Sequence, residues 1–444
     1  MEFVNGSVTR PYLTGDEIIS QGKVGQEVVV RGAIHNIRDM ADIAFVILRQ
    51  AYCVVQCTLE EGKANLSVKD ITEGMTVEIR GMAVKEDRAP NGFEIHTEEI
   101  RILSTPAVAQ MPVPIKNWKL KTSLETILNL RPVTLRNLRE RSKFRIQEGI
   151  VRGFRDYLHT QGFTEIHTPK INARSVESGA TLFKLEYFGK HAVLAQSPQT
   201  YKQMCVGAFD RVFEVGPVFR AEKHNTPRHL NEYTSLDFEM GYIDSFEDLM
   251  EMETGFIKYT MDLLKREYPK EIAQLKVDVP DVDKIPQCRF DEAKRLVSEK
   301  YNRPIRNPFD LEPEEEKLIG RYFKEEYGSD FVFVTYYPSK KRPFYAMDDP
   351  KDDKFTLSFD LLFRGVEITT GGQRIHELDQ LLAKMEKKRM TPEGMEHYLM
   401  AFKYGMPPHG GLGIGLERFT MQLLGEENVR ETCLFPRDLS RLEP

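Results

Sequence analysis

The sequence predicts an α+β fold in two domains, a small N-terminal β-barrel followed by a larger region of strands and helices. Three observations carry that expectation. Residues 27–103 hold five short alternating runs with turn residues between them. An aperiodic stretch with three prolines, STPAVAQMPVPIKN, follows and reads as a linker. Beyond it, strand-like runs alternate irregularly with helical periods, which favours α+β over a doubly wound sheet. A chain of 444 residues is also too long for one ordinary domain and suits two.

Taken in order, the five runs are EVVVRGAIHNI, IAFVILRQ, YCVVQCTLEE, MTVEIRGMAVK and FEIHTEEIRIL. Five strands within about 100 residues suit a small barrel; an OB-fold leads, with an SH3-like barrel as the alternative. The expected domains are 1–106, a linker or hinge at 107–133, and 134–444. Residues 134–160 show a helical apolar period through Phe144, Ile146, Ile150, Phe154 and Leu158, with a charged opposite face expected in solvent. The charged, helix-prone segment at 265–325 reads as an insertion rather than a part of a sheet.

Composition removes several classes. The chain is 41% hydrophobic and 29% charged, with no apolar run long enough to span a membrane. MEFVNGSVTRPYL lacks a basic start followed by an apolar core, so no signal peptide is expected. Five scattered cysteines fit reduced thiols in the cytoplasm; Cys53 and Cys57 share a strand face but lack the partners of a zinc site. The net charge of −6 confines any nucleic-acid contact to local patches. HGGLGIGLERF fails the dinucleotide spacing, and every Gly-Lys is followed by Val, Ala or His, so no phosphate loop is present. Neither GxSxG nor HExxH occurs.

What remains is a dense set of charges on strand-like frames. RVFEVGPVFRAE reads as a strand ending at a turn, KHNTPRHLNE as a loop, and YTSLDFEM as the returning strand. An arginine at a strand end, Arg220, can clamp a phosphate, and Arg228 and His229 can meet the far end of a triphosphate. Tyr233 can stack a purine. Asp237 and Glu239 share a strand face and can hold an ammonium group. LAQSPQTYKQM sets Gln196, Gln199, Lys202 and Gln203 among small residues. SFDLLFRGVEITTGGQRIHELD carries Asp360, Glu367, Gly371 and Arg374, and PPHGGLGIGLERF ends with Arg418 in the first turn of a helix. Acidic pairs and arginines in an apolar frame make a nucleotide site without a phosphate loop.

These motifs resemble those of the class II aminoacyl-tRNA synthetases, and of the aspartate enzymes of archaeal and eukaryotic type in particular. GFTEIHTPKI, with Pro169, resembles motif 1; FRAE through RHLNEYTSLDFEM resembles motif 2; GGLGIGLERF resembles motif 3. QSPQTYKQ, GVEITTGGQRIH, FKYGMPPHGG and LFPRDLSRLEP mark the subgroup. The resemblance covers essentially the whole chain. It implies an anticodon-binding OB-fold ahead of a catalytic domain built on an antiparallel sheet flanked by helices. It also implies activation of L-aspartate with ATP to aspartyl-adenylate, then transfer to the 3′ end of tRNA-Asp.

The implied roles follow residue by residue. Arg220 binds the α-phosphate, Glu222 the adenine amino group, and Tyr233 and Arg418 sandwich the base, with Leu230 beside it. Arg228, His229 and Arg418 hold the γ-phosphate. Asp360 and Glu367 carry Mg²⁺; they lie seven apart, so a turn must bring them together. Lys202 and Arg374 bind the side-chain carboxylate. Asp237 and Glu177 bind the α-ammonium, with Gln199 and Gly371 nearby. Lys202 speaks against an asparagine enzyme, because a buried Lys202 left unpaired against an amide is costly. Ser178 departs from the family's Glu-Gly-Gly loop. No general base is needed; positioning and electrostatics suffice.

On the barrel, Phe45 matches the family's stacking aromatic, Arg31, Arg49 and Gln56 lie near the central anticodon base, and Glu94 near a neighbouring one. Ala33 stands where the family often has Trp, in a region that bears on telling tRNA-Asp from tRNA-Asn. An enzyme strict for tRNA-Asp and one charging both stay open. The alternatives are an asparaginyl enzyme and a non-charging RNA-binding paralogue. The resemblance further implies a homodimer through motif 1, no membrane partner, and a prokaryotic cytoplasmic protein.

Overall fold

Period-two alternation in the first strands closes a barrel. The computed structural model describes residues 6, 8, 10–108, 110–174, 181–223 and 226–444. The chain divides into two compact units, Met1–Leu138 and Arg139–Pro444. In the first, β1 (Glu27–Asp39), β2 (Ile43–Arg49), β3 (Val54–Glu60), β4 (Thr76–Lys85) and β5 (Phe93–Ser104) form a closed barrel in the order β1-β2-β3-β5-β4. Only β3 and β5 run parallel, which is the OB arrangement rather than the SH3-like one. Val28, Val30, Ala44, Val46, Leu48, Val55, Cys57, Val77 and Ile95 point inward. Cys53 and Cys57 are both buried there, and burial pushes the Cys57 thiol far up. Residues 107–133 belong to this unit, which has short helices at Leu124–Asn129 and Arg131–Thr134.

The second unit is built on an eight-stranded sheet. Its strands in chain order are β6 (Thr164–Glu165), β7 (Arg211–Phe219), β8 (Glu232–Gly241), β9 (Gln287–Arg289), β10 (Phe331–Thr335), β11 (Ser358–Phe363), β12 (Val366–Arg374) and β13 (His409–Gly415). They lie side by side as β9-β10-β11-β12-β13-β8-β7-β6. All neighbours are antiparallel except β9–β10 and β7–β6 at the two edges. Alternation gives the sheet two different faces. Leu236, Phe238, Leu361, Leu412 and Ile414 point to the back, where helices α1 (Leu138–Thr160) and α2 (Glu247–Glu267) cover them. Ile146, Ile150, Phe154 and Leu158 recur every fourth residue along α1, so one stripe enters this core. Phe154 meets Phe213 and Phe256 edge-on at 5.7 and 5.1 Å, and each such buried ring contributes about 1.5–3 kcal/mol.

Three sequence expectations change here. Phe144 is only partly buried and leaves the stripe, because two residues along a helix turn a side chain to another face. The charged face of α1 is not wholly in solvent: Lys143 is buried, with its Nζ 3.1 Å from Glu426 and from Glu431 and 3.2 Å from Glu140. The segment at 265–325 does join the sheet. Its β9 is the edge strand beside β10, and helices α3 (Phe290–Tyr301) and α4 (Pro313–Tyr327) pack on β10 and β11 through Phe290, Val297, Ile319 and Phe323. A three-residue strand is too short to show alternation, so composition alone hid it.

Candidate active site

The front face of the sheet is polar because the same alternation that sends Leu236 and Phe238 backward sends Ser235, Asp237 and Glu239 forward. The two carboxylates are almost fully buried. Strand β13 makes room for them: a Cβ on Gly411 would stand 2.2 Å from Glu239 Oε2, and one on Gly413 would stand 3.0 Å from Asp237 Oδ1. Helix α5 (Gln199–Phe209) covers this face and buries Gln199, Lys202, Gln203 and Val206, the i, i+3, i+4, i+7 set of one stripe.

Lys202 Nζ lies 3.0 Å from Asp237 Oδ1, 3.3 Å from Glu239 Oε2 and 2.8 Å from the Leu412 carbonyl oxygen. Arg374, at the end of β12, donates from Nε to Glu239 Oε1 at 2.9 Å and from Nη2 to the Gly411 carbonyl at 2.9 Å. Gln199 Oε1 accepts from the same Nη2 at 3.4 Å. Lys202 is therefore not a lone cation awaiting a carboxylate. Glu239 is a shared counter-ion that the sequence placed on the right face without its partners. Burial pushes the Glu239 carboxyl up, but the charges of Arg374 and Lys202 outweigh it and hold the group below the usual range. Beside it, burial lowers the His409 imidazole to about 4, so the ring is neutral at physiological pH. Nδ1 donates to the Pro407 carbonyl at 2.9 Å, which leaves Nε2 to accept from Gln203 Nε2 at 3.0 Å.

The loop between β7 and β8 is pinned by Asn231, whose Nδ2 donates to the carbonyls of Arg220 and Glu222 at 2.6 and 3.0 Å. Arg220 lies 5.6 Å from the centroid of the Tyr233 ring. Leu230 packs on Met421 and Val429. Past the loop, Arg228 pairs with Glu316 of α4 at 3.1 Å and donates to the Gly365 carbonyl at 3.3 Å. His229 Nδ1 bonds Thr226 Oγ1. Arg418, in the first turn of helix α6 (Leu416–Leu424), donates to the carbonyls of Arg228 and Glu367 at 3.3 and 3.2 Å.

Asp360 and Glu367 come together as a turn requires. Strands β11 and β12 form a hairpin through Arg364 and Gly365, whose φ angles are 47° and 74°. A bulge at Leu361/Leu362 re-aims the strand, so that Asp360 faces Thr370 and Thr370 Oγ1 donates to Glu367 Oε1 at 3.0 Å. Asp360 also meets Arg342 Nη2 at 2.7 Å. Burial raises the Asp360 carboxyl to about 6, with Arg342 opposing and Glu367 adding. Burial raises Glu316 to about 7, and the Glu367 charge adds to that. Glu417 is raised to about 7 by burial, although both of its oxygens accept the Thr234 N–H at 3.1 Å.

A cavity of about 350 Å³ opens on this face, within the range of small-molecule sites. Its lining includes Arg220, Glu222, Arg228, His229, Leu230, Tyr233 and Arg418, together with Gln199, Lys202, Asp237, Glu367, Gly371 and Arg374. Asp360 lies just outside the lining, beside Arg342. Glu177 and Ser178 fall outside the described residues. Arg342, Tyr345 and Glu417 also line the cavity and were not singled out in the sequence, and neither was Glu316, which holds Arg228 from behind. Nothing in their local periodicity sets them apart from ordinary charged or core positions.

On the barrel, the strand period places Arg31, Phe45, Arg49, Gln56 and Glu94 on the outward alternation, since Val30, Val46, Leu48, Val55 and Ile95 point in. Phe45 is half-buried rather than part of the core. Gln56 Nε2 donates to Glu94 Oε2 at 2.8 Å across the parallel β3–β5 pair. Arg31 pairs with Glu78 at 2.7 Å and lies 4.6 Å from the centroid of the Tyr12 ring. Arg49 Nη1 donates to the Arg136 carbonyl at 3.0 Å.

Comparison with known proteins gives the following. Residues 123–439 match the family described as tRNA synthetases class II (D, K and N), and residues 28–103 match the OB-fold nucleic acid binding domain. The chain is 45% identical over 426 residues to an aspartate–tRNA(Asp/Asn) ligase of Deinococcus radiodurans, covering 95% of this chain and 96% of the relative. It is 40% identical to an aspartate–tRNA(Asp) ligase of Pyrococcus abyssi, covering 95% and 97%. Among solved structures, asparaginyl-tRNA synthetase from Pyrococcus horikoshii with asparaginyl-adenylate superimposes with a TM-score of 0.88 at 29% identity, covering 95% and 97%.

Proposed function

The chain belongs to the class II tRNA synthetases (D, K and N), and on that premise we propose that it activates L-aspartate with ATP and charges tRNA with it. The observation that carries the choice of aspartate is the charge balance on the cavity floor. Once Asp237 is set against the α-ammonium of the amino acid, Lys202 and Arg374 stand against Glu239 alone. Two cations against one carboxylate leave one positive charge in excess. A β-carboxylate neutralises it; an amide leaves it buried and uncompensated, which is the expensive case. It is this sum, rather than an unpaired lysine, that favours aspartate.

In this reading, Arg220 holds the α-phosphate as the amino-acid carboxylate attacks in line, and Tyr233 and Arg418 face the adenine with Glu222 at its amino group. Arg228 and His229 take the far end of the triphosphate. Pyrophosphate leaves and aspartyl-adenylate remains, from which the terminal hydroxyl of the tRNA takes the aspartyl group. Asp360 and Glu367 fit Mg²⁺, which takes one or two carboxylates alongside phosphate oxygens. Held there, the ion would supply charge neutralisation at the phosphates. The outward face of the barrel, with Phe45 as the stacking ring, takes the anticodon.

We take the enzyme to charge both tRNA-Asp and tRNA-Asn. The more identical of the two relatives above carries the Asp/Asn name, and Ala33 removes bulk from the barrel face beside Arg49, its partner in register. Purified tRNA-Asp and tRNA-Asn transcripts, charged side by side with labelled aspartate, test this. Comparable plateaus are expected, and charging of tRNA-Asp alone overturns it. Relaxed charging would require an amidating partner to finish Asn-tRNA. The protein is read as cytoplasmic, in keeping with five cysteines that form no disulfide, and as a homodimer through the motif 1 segment around Pro169. Sedimentation at micromolar concentration should give twice the 51.3 kDa chain mass, and a monomer there removes the dimer reading.

A further inference from the structure

Arg228 reaches into the cavity from a loop, where a long side chain has many rotamers to choose from. What holds it comes from far away in sequence. Helix α4 presses against the β11–β12 turn so closely that neither side has space for a side chain. A Cβ on Gly320 would stand 2.4 Å from the Gly365 nitrogen, and one on Gly365 would stand 2.7 Å from the Lys317 Cα. The first turn of the helix is fixed from a second side, where Lys294 of α3 pairs with buried Glu315 at 2.6 Å. These contacts bring Glu316 into the wall behind the cavity with 11% of its side chain exposed. One oxygen of Glu316, Oε2, serves two partners. It takes Arg228 Nη1 at 3.1 Å and the backbone N–H of Glu367 at 3.3 Å. Arg228 donates from its other terminal nitrogen, Nη2, to the Gly365 carbonyl in the same turn.

We propose that Glu316 is a positioning residue for the triphosphate: it fixes the Arg228 guanidinium against the β11–β12 turn, so that the charge meeting the far end of ATP is set before the nucleotide arrives. The segment that looks like an insertion is then part of the ATP site. A fixed arginine loses less side-chain entropy on binding than a mobile one, and the gain is confined to ligands that reach it. The inference rests on the reading of Arg228 as a triphosphate holder.

The test is aspartate-dependent ATP–pyrophosphate exchange on the full chain, with Glu316→Gln, Arg228→Met and the double variant. Glu316→Gln is expected to raise KM for ATP about tenfold while KM for aspartate and inhibition by AMP, which has no γ-phosphate, stay within about twofold. On the Arg228→Met background the same change should move KM for ATP less than about twofold, because its route of action is gone. If Glu316→Gln does not accumulate folded, Glu316→Asp, one methylene shorter, is put through the same measurements with the same expected direction. A KM for ATP within twofold of the parent, or a full tenfold effect repeated on Arg228→Met, overturns the inference. If Arg228→Met itself leaves KM for ATP unchanged, the reading of Arg228 is what has failed. If Arg228→Met raises it and Glu316→Gln does not, the inference fails alone.

Discussion

Two glutamates sit fully buried on opposite faces of the same sheet, and they behave in opposite ways. On the front, Glu239 lies between Lys202 and Arg374 and stays ionised. On the back, Glu253 of α2 accepts a hydrogen bond from Thr369 Oγ1 at 2.6 Å, and its second oxygen has no partner among the described residues. Burial pushes the Glu253 carboxyl to about 8, so it is mostly protonated at neutral pH. Depth is the same; cations make the difference. Burial by itself turns a carboxylate into a neutral acid, and only a built counter-charge keeps it ready for an ionic ligand. That contrast separates a binding face from a packing face more sharply than exposure does.

The largest expected effect breaks the front side. Lys202→Met leaves Asp237 and Glu239 with one cation instead of two. A cost of about 3–5 kcal/mol in stability follows from removing one member of a buried ionic cluster. Aspartate-dependent exchange should fall at least about a thousandfold. Thermal melts and exchange assays on the same preparation check both, and a variant that melts with the parent shows that the cluster is not what keeps Glu239 charged.

The back side is next, and it is read through pH. A carboxyl raised from 4.5 to about 8 on folding contributes stability that is complete below about pH 4.5 and lost as pH rises through 8. Glu253→Gln removes that dependence. The parent should lose stability relative to the variant between about pH 5 and 8, by on the order of a few kcal/mol. Parallel melting curves across that range would mean that Glu253 is not neutral in the fold.

The smallest effect refines the same point. Thr369→Val keeps the volume and deletes the hydroxyl that donates to Glu253. A loss of about 1 kcal/mol is expected. The pH-dependent part should reach to higher pH, because the bond that favoured the ionised form is gone. An unchanged pH dependence would assign the hydroxyl a packing role only.

Much of this is legible in the sequence. Period two gave the barrel strands, and it put Asp237 with Glu239 on one side of β8. The gap between Asp360 and Glu367 demanded a turn, and Arg364–Gly365 supplies it. What the sequence hid were partners brought in from a distance. Glu316 stands 51 residues before Glu367 in a helix full of acids, so nothing local marks it. Arg342 sits in a loop of basic residues, and Lys143 looks like any surface lysine until Glu426 and Glu431 fold over it. Faces are written in periodicity, whereas pairings across the chain are written only in the packing.

Strand β13 carries one last consequence. It alternates nothing with something: Gly411 and Gly413 toward the acids and Gly415 toward Ser235, Leu412 and Ile414 toward the core. A slip of one residue against β8 would drive Leu412 and Ile414 into the space that Glu239 and Asp237 occupy, and would leave voids in the core behind them. The strand is thus its own alignment gauge. Mispaired intermediates are penalised on both faces at once, and the cavity floor can assemble only when the middle of the sheet has found its proper offset.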